Sequence, residues 1–242
     1  MTKITNIPKE ELEAFDRLAK DAVALHVPIT ECRIKLEAFD QQGKLLQQYN
    51  TRSHSWTRNA YNFMFCNMAG KNAADPTFEA GKLSCKKTNA AIASSATKGF
   101  TGDGGSNYDL AQTAIGLLAT AGTVTIGIVV GSNAAAESFE DYALGTLIVN
   151  GSGAGQLAYA QSEATVVSYV AGTKTLSATI VRYMNNNSGG DVTVNEVAIY
   201  KGDYISSGLQ YCPSRDALAA PVVIPNYGQL KVTYVVSLVY PA

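Results

Sequence analysis

The sequence predicts a mainly β protein: an antiparallel β-sandwich, jelly-roll-like, with an N-terminal helix and a second buried helix. Three observations carry that expectation. From Thr123 to the end of the chain, short apolar runs recur between Gly- and Asn-rich turns, the spacing of a sandwich or barrel. The last run is the clearest, with Leu230, Val232, Tyr234, Val236 and Leu238 on one face and Lys231, Thr233 and Ser237 interleaved on the other, a period of two. Finally, 46% of residues are hydrophobic and only 16% charged, so small and polar uncharged residues make up the difference, which suits short strands joined by tight turns. A chain of 242 residues can bury one large core without disulfides or a structural metal.

The N-terminus reads as helix. Asn6-Ile7-Pro8 opens it, Glu10 and Glu11 fall in the first turn, where the helix dipole favours acids, and Val27-Pro28 stops it. Leu12, Phe15, Ala19 and Ala22 recur at helical spacing; this face suits packing on its own core or on a neighbouring subunit. The expected division is a helical arm over 1–30 and a sandwich domain over 31–242. Ile34, Leu36 and Ala38 alternate with Arg33, Lys35 and Glu37 before the turn Asp40-Gln41-Gln42-Gly43 and a return strand from Leu45, which makes a hairpin. Ser55 then caps a helix over 56–69. Trp56, Ala60, Phe63, Met64 and Met68 line one face and Tyr61 and Phe65 another, as in a helix buried on both sides. Residues 71–121 are rich in small residues and include the loop Thr101-Gly102-Asp103-Gly104-Gly105, the marks of a loop-rich insertion or a wrapping arm.

Beyond it, candidate strands lie at 123–130, 145–149, 156–161, 165–170, 175–184, 191–200, 221–224 and 229–239. Read as a symmetric hairpin about the turn 185–190, Val181 faces Val194 and Tyr183 faces Val192. Glu196 then falls on the apolar face and needs a partner. Arg182 points the other way in that register, which leaves Arg215 as a candidate. Arg215 and Asp216, after Cys212-Pro213, read as fixing the loop into the last strand pair.

Signatures of chemistry fail on their particulars. His26 and His54 are the two histidines, and no Gly-x-Ser-x-Gly elbow accompanies them. Gly151-Ser152-Gly153-Ala154-Gly155 is followed by Gln156-Leu157 and not by the Lys-Ser/Thr of a phosphate loop. Asp103, Asn107 and Asp109 miss the spacing of a calcium loop. Cys32, Cys66, Cys85 and Cys212 contain no CxxC pair and read as free thiols, as in a reducing cytoplasm. The net charge of −1 argues against phosphate-driven nucleic-acid binding. The start lacks the apolar core of a signal peptide, and the stretch near 111–130 is too broken by glycines for a membrane span. The reading is therefore no catalytic residue, no cofactor, no metal, no membrane and no small-molecule substrate.

Several stretches resemble tailed-bacteriophage virion structural proteins. They are Ile128-Val129-Val130-Gly131-Ser132-Asn133 with Ser138-Phe139-Glu140-Asp141-Tyr142-Ala143-Leu144; Ile148-Val149-Asn150-Gly151 with Gly155-Gln156-Leu157-Ala158-Tyr159; the run from Val181 through the turn 185–190 to Tyr200; and Ser214-Arg215-Asp216-Ala217-Leu218 with Pro221-Val222-Val223-Ile224 and Leu230-Lys231-Val232-Thr233-Tyr234. The hairpin at Asp40 followed by Ser55-Trp56-Thr57-Arg58-Asn59 is similar to their N-terminal half. The likeness spans most of the chain, is weakest at 71–121, and consists of strand and turn patterns. It implies a β-sandwich module of the neck, tail or baseplate. Such a module is made in the host cytoplasm and built into the virion with other virion proteins and copies of itself. A head-decoration or receptor-binding module is the alternative, with Tyr204, Tyr211 and Tyr227 as tip candidates. The residues expected to bear structure or interface are Leu12, Phe15, Trp56, Phe63, Glu196, Arg215 and Asp216.

Overall fold

The computed structural model describes residues 2–69, 85–92, 116–202 and 210–240, the side chains of 66, 67 and 69 excepted. Most of the expected insertion therefore lies outside the described residues, as do Asp103, Asn107, Asp109, Tyr204 and the Cys66 side chain. In chain order the elements are β1 (Lys3–Thr5), α1 (Lys9–Leu25), β2 (Ile29–Phe39), β3 (Leu45–Arg52), α2 (Arg58–Ala69), β4 (Gly127–Gly131), β5 (Ala158–Tyr159), β6 (Val166–Val170), β7 (Thr175–Asn185), β8 (Val192–Gly202), β9 (Gln210–Ile224) and β10 (Gln229–Val239). The protein is mainly β, as expected.

Two sheets form a sandwich. The larger runs β1-β3-β2-β10-β7-β5, with β6 also on β7, and the smaller runs β4-β8-β9. Every pairing is antiparallel except β1 on β3. The period of two decides what is buried. Ile34, Leu36 and Ala38 of β2, Leu230, Val232 and Tyr234 of β10, and Ile180 and Met184 of β7 face inward. They meet Ile128, Val129 and Val130 of β4, Val194, Val197 and Ala198 of β8, and Val222 and Ile224 of β9. The β2–β3 hairpin forms as read: Asp40 Oδ1 accepts from the N–H groups of Gln42 and Lys44, and Gly43 takes φ 77°, which glycine adopts without a Cβ penalty.

Five expectations change, the first being that 145–149 forms no strand and only bridges Gly131 through Leu147. The arm boundary at 30 cuts through β2, which begins at Ile29, and β1 ties the N-terminus to the edge of the large sheet. Ser55 does not cap α2: Trp56 bridges to Ser214 of β9 and the helix starts at Arg58, because backbone pairing with β9 holds the chain extended first. α2 is buried on one face only; Ala60 and Phe63 are in the core, while Tyr61, Met64, Phe65 and Met68 are exposed. Finally, β7 and β8 do not pair; they belong to different sheets. Asn186 is the reason. Fully buried, it donates to the carbonyls of Gly190 and Ile224 and receives the Ser188 N–H and hydroxyl. The run 185–190 is thus a corner between sheets, not a hairpin turn.

Candidate interaction surfaces and the clamp behind them

β9 carries the polar centre of the molecule. Tyr211 through Asp216 are all buried in it, although Pro213 and three polar residues hide this stretch from a strand pattern. Successive side chains leave a strand on opposite faces, so Arg215 and Asp216, mid-strand, hold two different segments. Neither fixes the loop into the last strand pair.

Arg215 faces Glu196 of β8. Its Nε donates to Glu196 Oε2 at 2.7 Å, Nη1 to both Asp141 Oδ2 at 2.8 Å and the Ala136 carbonyl at 3.3 Å, and Nη2 to the Ala135 carbonyl at 3.1 Å. Glu196 also receives the N–H groups of Asn133, Gly145 and Thr146 at 3.3, 3.0 and 2.8 Å. Ala217 N–H donates to Glu137 at 2.8 Å. These bonds fasten the whole 132–146 segment to the small sheet. Burial pulls the Arg215 guanidinium down, but the hydrogen bonds and charges of Asp141 and Glu196 outweigh it and leave it above its ordinary value. Gly131 makes room for the carboxylate: a Cβ there would meet Glu196 Oε1 and Thr146 O.

Asp216 points the other way. It accepts from His54 N–H at 2.8 Å and from the hydroxyls of Ser53 and Ser214 at 2.9 Å each, which fixes the passage from β3 to α2. Burial raises its carboxyl above the ordinary value, against the three hydrogen bonds. The His54 ring meets Glu11 of α1 at 3.0 Å, so ring and serine hydroxyl address different acids. That is not the chain of contacts a hydrolase triad needs.

One buried residue escaped the sequence reading. Arg182 of β7 is fully buried and turns into the sandwich. Its five N–H groups donate to the carbonyls of Ala160, Ile126, Ile128, Thr120 and Thr123, with the Tyr159 ring 4.9 Å away. Burial pushes its pKa down to about 10. Only the symmetric-hairpin register had turned it outward.

The remaining expected residues lie on or beneath the surface. Phe63 is fully buried and packs edge-on against Tyr211 at 5.3 Å; Tyr211 is therefore core and no loop tip. Trp56 is half-buried against the core. Phe15 lies under the Arg52 guanidinium at 3.8 Å. Leu12 borders a groove of about 570 Å³ between α1 and the outer face of the large sheet, with Ile7, Thr233 and Val235. Of α1 only Ala22 is buried, while Leu18, Val23 and Leu25 are exposed. Cys32, Cys85 and Cys212 are buried free thiols. Among the described residues, no cluster of His, Cys, Asp and Glu could hold a metal ion, and no helix is long and apolar enough to cross a membrane.

No protein-family model, curated protein or solved structure matches the chain.

Proposed function

We propose that this protein is a non-enzymatic structural subunit of a tailed-phage virion, assembling in the neck, tail or baseplate with other virion proteins and copies of itself. The observation that carries an assembly role is the outward side of α2. Tyr61, Met64, Phe65 and Met68 present apolar surface there, Met68 at 80% exposure. Aromatic residues and methionine are enriched in protein interfaces, and contiguous exposed apolar patches mark sites of association. The sequence resemblance supplies the virion.

Mass spectrometry of gradient-purified virions tests this reading. Peptides of this chain at a fixed copy ratio to the other particle proteins are the expected result; their absence from intact particles overturns it. The receptor-binding alternative retains Tyr227, which is 60% exposed and holds φ 62°, a strained conformation for an aromatic residue. If host-cell binding exists and is lost in Tyr227→Ala, the alternative gains.

A further inference from the structure

Among the described residues, the large sheet ends in an unprotected strand. β6 pairs with β7 alone among the described strands. All five of its residues are exposed, Val166 and Val167 at 63%, Tyr169 and Val170 at 53%. Natural sheet edges are commonly guarded by a charge, a proline, a bulge or a covering loop. Val166-Val167-Ser168-Tyr169-Val170 contains no charge and no proline, and its ladder with β7 runs in unbroken register.

The hydrogen bonding of β7 shows which backbone groups of β6 are free. Tyr240 N–H donates to Lys174 O, while Glu163 and Ala160 N–H donate to Val181 O and Tyr183 O. Even-numbered residues of β7 therefore turn their backbone groups to β10, and odd-numbered ones to the β6 side. β6 pairs Val166, Ser168 and Val170 with Thr179, Ser177 and Thr175, so those three spend their N–H and C=O groups on β7. The N–H and C=O of Val167 and Tyr169 point outward.

We infer that a second copy of this chain pairs with β6 through its own β6, antiparallel, about a two-fold axis at Ser168. The partner follows from the strand's self-complementarity. In this register Val167 stands opposite Tyr169 of the copy, and Tyr169 opposite its Val167, so all four free N–H and C=O groups of each strand's two outward residues find partners. Val166 meets Val170 on the other face, and Ser168 meets its own copy at the axis. Each cross-strand contact is apolar or hydroxyl on hydroxyl, and aromatic–β-branched pairs are favourable ones. Shifting the register leaves part of the four-group set unmatched. Val167 also borders an apolar groove of about 360 Å³ on the same face, with Thr30, Leu176, Ala178, Val236 and Leu238, and the two-fold brings both grooves to the junction. This inference rests on the assembly reading and names one of its contacts. A five-residue ribbon buries less than the roughly 800 Å² per partner of a stable interface, so the pairing is reversible in the isolated protein.

Disulfide trapping tests it in the full-length chain with Cys66 replaced by serine. Ser168→Cys is expected to form a disulfide-linked dimer under mild oxidation, because residues opposite at a non-hydrogen-bonded position stand about 4.5 Å apart. Val166→Cys is expected not to cross-link alone, but to do so when Val170→Cys is added. Sedimentation of the wild type should show a concentration-dependent dimer that Val167→Lys with Tyr169→Lys abolishes. Both positions are exposed, and unchanged unfolding of that variant confirms an intact fold. A monomer at all concentrations with no Ser168→Cys dimer overturns the inference, as does slow amide exchange of Val167 and Tyr169 in a monomer, which would mean that another part of the chain covers the edge. Presence of the chain in virions without the cross-link would sink the β6 pairing and leave the assembly reading standing; the cross-link in a protein absent from virions would do the reverse.

Discussion

Two fully enclosed arginines, one in each sheet, solve the same problem in different ways. Arg215 sits among carboxylates, with Glu196 and Asp141 as charge partners. Arg182 has backbone carbonyls and the Tyr159 ring, and no acid among its partners. The two environments move the guanidinium pKa in opposite directions: acids hold Arg215 above its ordinary value, while burial draws Arg182 down. Yet both serve to pin irregular chain to a sheet, 132–146 in one case and 120–128 with Ala160 in the other. The comparison teaches that a loop can be fixed by charge neutralisation or by collecting carbonyl dipoles, and that the second leaves no acidic partner to be found in the sequence.

The carbonyl-held arginine is the more costly of the two to remove. Arg182→Met takes a donor from five carbonyls, of which only Thr120 O is seen to keep another, the Thr123 N–H, and an unsatisfied buried group costs about 1–3 kcal/mol. A loss of about 5 kcal/mol or more is expected, close to the whole stability of a modest domain. Urea unfolding followed by the fluorescence of Trp56, the single tryptophan, measures it. Arg215→Met should cost somewhat less, about 3–5 kcal/mol, because it strands Glu196 as a buried charge and leaves the partly exposed Asp141 without its partner. Adding Glu196→Leu should recover part of that loss, since an ion pair replaced as a unit is often tolerated; no recovery in the double-mutant cycle would show that the backbone bonds to Glu196 matter more than its charge.

Gly131→Ala probes the space rather than the charge. Its methyl group would crowd the Glu196 carboxylate and Thr146 O, and a loss of about 1–3 kcal/mol is expected from overpacking. Asp216 sharpens the comparison through pH. Its carboxyl is raised above 3.8 in the folded protein, so the stability it contributes is fully present below that value and is lost as pH rises through the folded pKa. Asp216→Asn removes this titration. Wild-type stability relative to the variant should therefore decline as pH increases from 3.5 toward neutrality, read from urea midpoints; a rise instead would show that the three hydrogen bonds outweigh burial. The smallest effect belongs to the exposed pair Arg58–Glu140. Glu140→Gln should change stability by no more than about 0.5 kcal/mol, and less in high salt.

How much of this was legible follows from where the signals are local. α1 lies where its acids and Pro8 place it, and His26, which caps its C-terminus, takes a left-handed conformation just before Val27-Pro28. β10 and the β2–β3 hairpin follow their alternation. Alternation marks β9 only at 221–224, because its first half carries Pro213, Ser214, Arg215 and Asp216, residues whose burial depends on partners far away in the chain. The exposed side of α2 carries the pattern of a buried one, since an apolar residue looks the same in sequence whether a core or solvent lies beside it. The Glu196–Arg215 pairing was anticipated as one candidate, yet from a hairpin register that does not exist.

Local pattern suffices for a β-rich chain, for the placement of its two helices and for which residues of β2 and β10 face inward, because period and turn chemistry act over a few residues. Tertiary contacts carry the chain between sheets at Asn185 to Gly190, turn Arg182 inward, and leave β6 as an open edge among the described residues. Those outcomes depend on which backbone groups of distant segments meet, and a hydrogen bond between residues tens of positions apart leaves no pattern in either one's neighbourhood.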